Sequence, residues 1–137
     1  MLQIKWDAAF QTGHPVVDGQ HKNLFVLVNK LQEAISEKKS KMVVQDAIDL
    51  LTDYINTHFK TEEEIMQSNG YPEYESHKMA HDGLKEYAMK LIKLYHINKV
   101  DLTATIYHFL SEWIQNHIKE VDYKMINWLN ENNKRKE

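Results

Sequence analysis

The sequence predicts an all-α protein, an up-down-up-down antiparallel four-helix bundle behind an irregular N-terminal arm. Three observations predict it. Apolar residues recur at steps of three and four, the helical period, rather than at the strand period of two. The 137 residues hold only 4 Gly and 2 Pro, so few positions interrupt a helix. The breaks that do occur leave connections of about three to six residues, and links this short join antiparallel neighbours.

Each element follows in order. The arm, residues 1–18, ends at Asp18, a residue type whose carboxylate accepts from the unpaired N–H groups of a first helical turn. Helix A, over 19–37, then carries Leu24, Phe25, Val28, Leu31 and Ile35 on one face. Ser40 caps helix B, over 41–67, whose apolar face holds Val44, Ala47, Ile48, Leu51, Ile55, Phe59 and Met66, and Asn69-Gly70 stops it. Pro72 suits the first turn of helix C, over 72–96, with a stripe of His77, His81, Leu84, Ala88, Leu91 and Tyr95. Asp101 caps helix D, over 102–131, which carries Leu102, Ile106, Phe109, Leu110, Trp113, Ile114, His117, Met125 and Trp128. The polar residues 132–137 are expected to fray, and the length of the whole chain, 1–137, fits a single domain.

Composition narrows the function. A formal charge of −3 with no basic patch argues against nucleic acid as a partner. No run of 18 apolar residues occurs and the N-terminal residues do not resemble a signal peptide, so the expectation is a soluble, cytoplasmic protein without a membrane partner. Zero cysteines exclude disulfides, thiolate catalysis, iron–sulfur clusters and Cys-type zinc sites. Any metal must sit on nitrogen and oxygen, which suits iron, manganese, zinc or copper.

Such ligands are present in a pattern. His21, His58 with Glu62, His77 with His81, and His117 with Asp122 make five imidazoles and two carboxylates, a set that suits two metal ions. In an antiparallel bundle the starts of helices A and C meet the ends of B and D, so all four groups converge toward one end of the core. At about 100° per residue, side chains four apart lie within about 40° of each other, so His58 and Glu62 share a face, as do His77 and His81. The same arithmetic turns Glu63 and Glu64 toward solvent. On helix D a spacing of five separates His117 from Asp122 by about 140°, and Glu120, three after His117, competes for the role. Either the two residues straddle the metals from a wide angle or the helix widens locally, as π-bulges at functional sites do.

A single core histidine is more often a hydrogen-bonded filler than a ligand. Five at one level beside two carboxylates weigh differently, because burying so many ionisable groups without a cation costs several kcal/mol per unpaired charge, on the order given by desolvation. His108 should face solvent, His96 should sit at a helix C-terminus, and His14 has no assigned role. Trp128, Tyr54, Tyr87, Met79 and Met89 read as packing or surface residues.

These residues resemble the hemerythrins, in particular the bacterial single-domain bacteriohemerythrins. The resemblance runs through Trp6-Asp7, Gly13, Asp18-Gly19-Gln20-His21-Lys22-Asn23-Leu24-Phe25 and Asn29. It continues in His58-Phe59-Lys60-Thr61-Glu62-Glu63, Met66, Tyr71-Pro72, His77 and His81, and closes with Leu110, Trp113-Ile114 and His117-Ile118-Lys119-Glu120-Val121-Asp122. A lone HxxxE is weak evidence, whereas the ordered set across four helices is specific. His14-Pro15 and Leu84 depart from the common pattern, and neither touches a ligand position.

The resemblance implies a single hemerythrin-like domain with two iron ions, ferrous or ferric, bridged by Glu62, Asp122 and an oxo or hydroxo group. It decides for Asp122 over Glu120. His77, His81 and His117 would bind one iron, and His21 and His58 the other, which keeps a coordination position open. Reversible O2 binding at that five-coordinate iron, for carriage, storage, delivery or sensing, is the implied function. Leu24, Phe59, Trp113, Ile114 and Ile118 match the family's oxygen pocket. The protein is expected not to be an enzyme. The alternative is a di-iron enzyme that reduces peroxide or nitric oxide or oxidises a small substrate. Which protein partner it has, if any, is left open.

Overall fold

The computed structural model describes residues 3–97 and 103–136. Its helices are α1 (Pro15–Ser36), α2 (Lys41–Asn69), α3 (Tyr74–Ile97), α4 (Thr103–His117) and α5 (Tyr123–Lys136), the last two joined by a π-helical turn, Ile118–Asp122. α4, the π turn and α5 together form the fourth arm of the bundle. α1 packs on α2 and α4, and α3 on α2 and α4, which is the square of an antiparallel four-helix bundle. No described helix is long and apolar enough to cross a membrane.

The helix ends show local chemistry at work. Ser40 caps α2 by accepting from the Val43 N–H at 3.3 Å. Gly70 ends it in the left-handed region, at φ 66°, where a glycine carries no Cβ penalty. The start of α1 differs from expectation. The helix begins at Pro15, whose missing N–H is harmless in a first turn, and the N-cap is His14, whose Nδ1 accepts from the Val17 N–H at 3.3 Å. Asp18 lies one turn inside. Its carboxylate instead folds the arm back, accepting from Thr12 N–H, Thr12 Oγ1–H and Gly13 N–H at 2.9, 2.7 and 3.0 Å.

Two further boundaries shift. Pro72 sits in the turn just before α3 rather than in its first turn. The final helix continues to Lys136, so the tail expected to fray is helical over most of its length. The expected cap Asp101 and the first residue of helix D, Leu102, lie outside the described residues. The arm is tied down by Asn29, whose side chain accepts from Ile4 N–H and donates to Ile4 C=O, both at 2.9 Å. Trp6 and Phe10 pack their rings against Phe25.

The core comes in two parts. The larger runs the length of the bundle and includes Val28, Leu31, Ile48, Leu51, Leu84, Ile106 and Leu110. The smaller, made of Val17, Met66, Tyr71, Met125, Ile126 and Leu129, closes one end. On α1 the order is Val17, His21, Leu24; on α2 it is Ile55, His58, Glu62, Met66; on the fourth arm it is Ile114, His117, Asp122, Met125. The buried ionisable residues therefore form a polar layer between two apolar bodies.

Candidate metal centre

All seven residues singled out in the sequence meet in that layer. His21, Glu62, His81 and Asp122 are 0% exposed, and His58, His77 and His117 no more than 6%. The π turn explains Asp122. Widening the helix over Ile118–Asp122 absorbs an extra residue per turn, so a side chain five positions after His117 returns to the same interior face. Glu120 stays exposed.

The ligand atoms converge closely. His77 Nε2 and His81 Nε2 stand 3.2 and 3.1 Å from His117 Nε2. Asp122 Oδ1 lies 3.0 Å from both His77 Nε2 and His117 Nε2, while Asp122 Oδ2 reaches His21 Nε2 at 2.9 Å. Glu62 Oε1 is 3.3 Å from both His58 Nε2 and His81 Nε2. Ligands about 2.1 Å from one ion and at right angles stand about 3.0 Å apart, so these separations are those of neighbouring ligands around a metal.

Two sets of ligand atoms emerge, one from Glu62, His77, His81, His117 and Asp122, the other from His21, His58, Glu62 and Asp122. They share both carboxylates. Three imidazoles lie on one side and two on the other, with Glu62 and Asp122 between.

Protein groups alone do not satisfy this layer. Both ring nitrogens of His21, His58 Nε2, and all four carboxylate oxygens of Glu62 and Asp122 are buried without a hydrogen-bond partner. Buried polar atoms in this number are not tolerated unless something else pairs with them. The donor chemistry, imidazole nitrogen and carboxylate oxygen, fits a pair of divalent or trivalent transition-metal ions.

Electrostatics agrees. Burial, then the neighbouring His21, pushes the His58 pKa down to about 3. Burial, then His117 and His77, takes His81 down to about 2. Both rings are held neutral, the state in which an imidazole nitrogen can bind metal. Burial and the adjacent Asp122 push Glu62 well above the ordinary carboxylate range. For Asp122, burial acts upward, but the adjacent His117, His21 and His77 rings, 2.9 to 3.0 Å away, hold it well below. Two carboxylates this close resist sharing negative charge, and a cation between them removes that conflict.

Neighbouring rings and acceptors hold the ligands in place. Phe59 stacks on His81 with centroids 3.8 Å apart and planes 3° from parallel, and Trp113 stacks on His117 at 4.2 Å and 14°. His58 Nδ1–H donates to Gln20 Oε1 at 2.6 Å. Gln20 Nε2 donates to Thr61 Oγ1 at 3.4 Å, and Thr61 Oγ1–H in turn donates to Thr57 C=O at 3.1 Å. The direction of this chain leaves the proton on His58 Nδ1 and the Nε2 lone pair facing inward. His81 Nδ1–H donates to Glu63 Oε2 at 2.9 Å.

Gln20 and Glu63 are the residues that sequence reasoning missed. Angle counting turned Glu63 to solvent, yet its side chain is only 16% exposed because α3 covers it. Adjacency to a ligand was the only signal available for either.

A cavity of about 10 Å³ opens beside the layer, lined by His21, Leu24, Ile55, His58, Phe59, Trp113, Ile114, His117, Ile118 and Asp122. It has room for about one water-sized molecule. Leu24, Phe59, Trp113, Ile114 and Ile118 all border it, and Ile55 joins them. His108 faces solvent and His96 sits in the last turn of α3, both as expected.

A helical bundle that buries five converging imidazoles around two shared carboxylates has the ligand set of a dinuclear metal protein. Comparisons with known proteins define the class further. The family described as the hemerythrin HHE cation binding domain matches residues 12–129. The chain is 37% identical over 124 residues to a bacteriohemerythrin of Methylococcus capsulatus, covering 89% of this chain and 93% of that one. It is 30% identical over 119 residues to the hemerythrin of Themiste dyscrita, covering 87% and 88%. A crystal structure of wild-type hemerythrin superposes with a TM-score of 0.81 at 34% identity, over 89% of this chain and 94% of that one. This chain belongs to the hemerythrin family, a family of di-iron, oxygen-binding proteins.

Proposed function

We propose that this chain holds two iron ions with an oxo or hydroxo bridge and binds O2 reversibly at the iron with fewer protein ligands. The observation that carries the reading is the shared pair of carboxylates with three imidazoles on one side and two on the other. His77, His81 and His117 hold one iron, His21 and His58 the other, and Glu62 and Asp122 bridge them. The side with two imidazoles is one protein ligand short.

When bound, the ferrous pair supplies the electrons and the open position that O2 binding uses. The protein's part is positioning and exclusion. The Phe59 and Trp113 rings hold His81 and His117 by stacking. Gln20 and Glu63 keep protons on Nδ1 so that Nε2 faces the metals. Leu24, Ile114 and Ile118, each no more than 3% exposed, keep water from the open side, where it would promote irreversible oxidation. The cavity suits a diatomic better than a substrate of any size.

The donor balance favours binding over catalysis. Ferritin-like di-iron sites use more carboxylates, an anionic set suited to oxidising chemistry. Here neutral imidazoles outnumber carboxylates by five to two, which favours the ferrous state and release of O2. NO and peroxide are small enough to reach the same position. A cytoplasmic setting, with no nucleic-acid or membrane partner, belongs to the same proposal.

The test is iron content measured together with an anaerobic titration. About two irons per chain, and a visible charge-transfer band that appears with O2 and vanishes on its removal over several cycles, are expected. One zinc and no iron, or immediate conversion to a stable ferric form with peroxide consumption, would overturn the reading.

A further inference from the structure

The two sides of the centre differ in what receives their buried imidazole protons. On the side with three imidazoles, His81 Nδ1–H meets a carboxylate, Glu63, at 2.9 Å, and His77 Nδ1 has no partner. On the side with two, His58 Nδ1–H meets a neutral amide oxygen, Gln20, at 2.6 Å, and His21 Nδ1 has no partner. The Gln20 orientation is not interchangeable, because its amide nitrogen is engaged by Thr61 Oγ1, whose own proton goes to Thr57 C=O.

An imidazole that shares its Nδ1 proton with a carboxylate gains anionic character and becomes a stronger donor at Nε2. A stronger donor favours the higher oxidation state of the ion it binds. An amide acceptor fixes the tautomer without adding charge.

We infer that Glu63 and Gln20 are positioning residues that make the two metal positions electronically unequal, Glu63 strengthening His81 at the coordinatively complete ion and Gln20 leaving His58 a neutral, weaker donor at the open one. This inference rests on the di-iron reading above. It gives the chain a reason to keep an acidic side chain at 63, under α3, and an uncharged one at 20. The consequence is an open-side ion that holds the ferrous state, which release of O2 requires, next to a partner that is the more readily oxidised of the two.

The test compares Glu63→Gln, Gln20→Glu and, as a charge control, Glu64→Gln at an exposed position one residue further on. Iron content comes first. A wild-type chain that does not take up an iron pair overturns the di-iron reading and this inference with it. With the pair loaded, the midpoint potential should rise in Glu63→Gln, fall in Gln20→Glu and stay unchanged in Glu64→Gln. Glu63→Gln should also lose about 10- to 100-fold in iron affinity, the usual effect of removing an acceptor behind a ligand.

Shifts of the same sign in the first two variants, no shift, or an equal shift in Glu64→Gln would overturn this inference while leaving the di-iron reading intact. Proton NMR of the zinc-loaded chain gives a readout that simple destabilisation does not move. The His81 Nδ1 proton should respond only to Glu63→Gln, and the His58 Nδ1 proton only to Gln20→Glu; any other pattern counts against the inference. If Glu63→Gln does not fold, Gln20→Glu decides alone, by whether it lowers the potential and moves the His58 proton.

Discussion

The far end of the bundle and the metal layer are built on opposite principles. At the far end, Leu31, Ile48, Leu51 and Ile106 are no more than 1% exposed and pack as ordinary hydrocarbon. In the layer, His21, Glu62, His81 and Asp122 are as deeply buried, yet most of their polar atoms lack hydrogen-bond partners. The first region stabilises the fold without any ligand. The second is a liability until cations enter, so the chain's stability and its chemistry are separable along the bundle axis. The small cluster around Met66, Met125 and Ile126 covers the layer from beneath.

That separation can be broken from either side. The largest effect is expected from Glu62→Gln, which removes one shared carboxylate: iron should fall from about two per chain to one or none by metal assay, with the helical circular dichroism retained. Leu51→Ala should do the reverse. It should cost about 2–5 kcal/mol in urea unfolding, as buried Leu truncations do, and leave iron stoichiometry unchanged.

The metal-free chain should report the liability as a pH dependence. His58 and His81 stay neutral in the fold down to about pH 3 and about pH 2, whereas in the unfolded chain both take up protons near 6.5. The unfolded state therefore binds more protons as pH drops below 6.5. Glu62, with its folded pKa raised, acts in the opposite sense above 4.5. With two histidines set against one carboxylate, stability should fall as the pH drops from about 6 to 5. Iron loading should flatten that slope, and a metal-free chain with a flat profile would break the comparison.

A smaller effect should come from Ile114→Ala, at the border between the main core and the layer. Opening the cavity beside the open position should speed autoxidation up to about tenfold, equivalent to about 1.4 kcal/mol in the barrier, followed as the lifetime of the oxygenated spectrum. An unchanged lifetime would remove Ile114 from the pocket's wall.

Legibility in the sequence varied by residue. Ser40 and Gly70 were readable as helix ends because capping depends on one side chain or one backbone angle. Asp18 misled, since a carboxylate near a helix start can serve either the first turn or the preceding arm, and here the arm holds it. Glu63 misled for a different reason: angle counting on one helix does not show the neighbour that covers its flank.

What the sequence by itself determined is which residues share a helix face, because a helical period is a property of consecutive positions and needs no neighbour. It placed His58 beside Glu62, His77 beside His81, and the four groups at one level. It left His117 with Asp122 or Glu120 unresolved on spacing alone. Only the tertiary structure decided that a π turn carries Asp122 inward, that Gln20 and Glu63 stand behind His58 and His81, and that the polar layer lies between two apolar bodies. Those outcomes depend on how helices rotate and approach one another, and local periodicity carries no record of either.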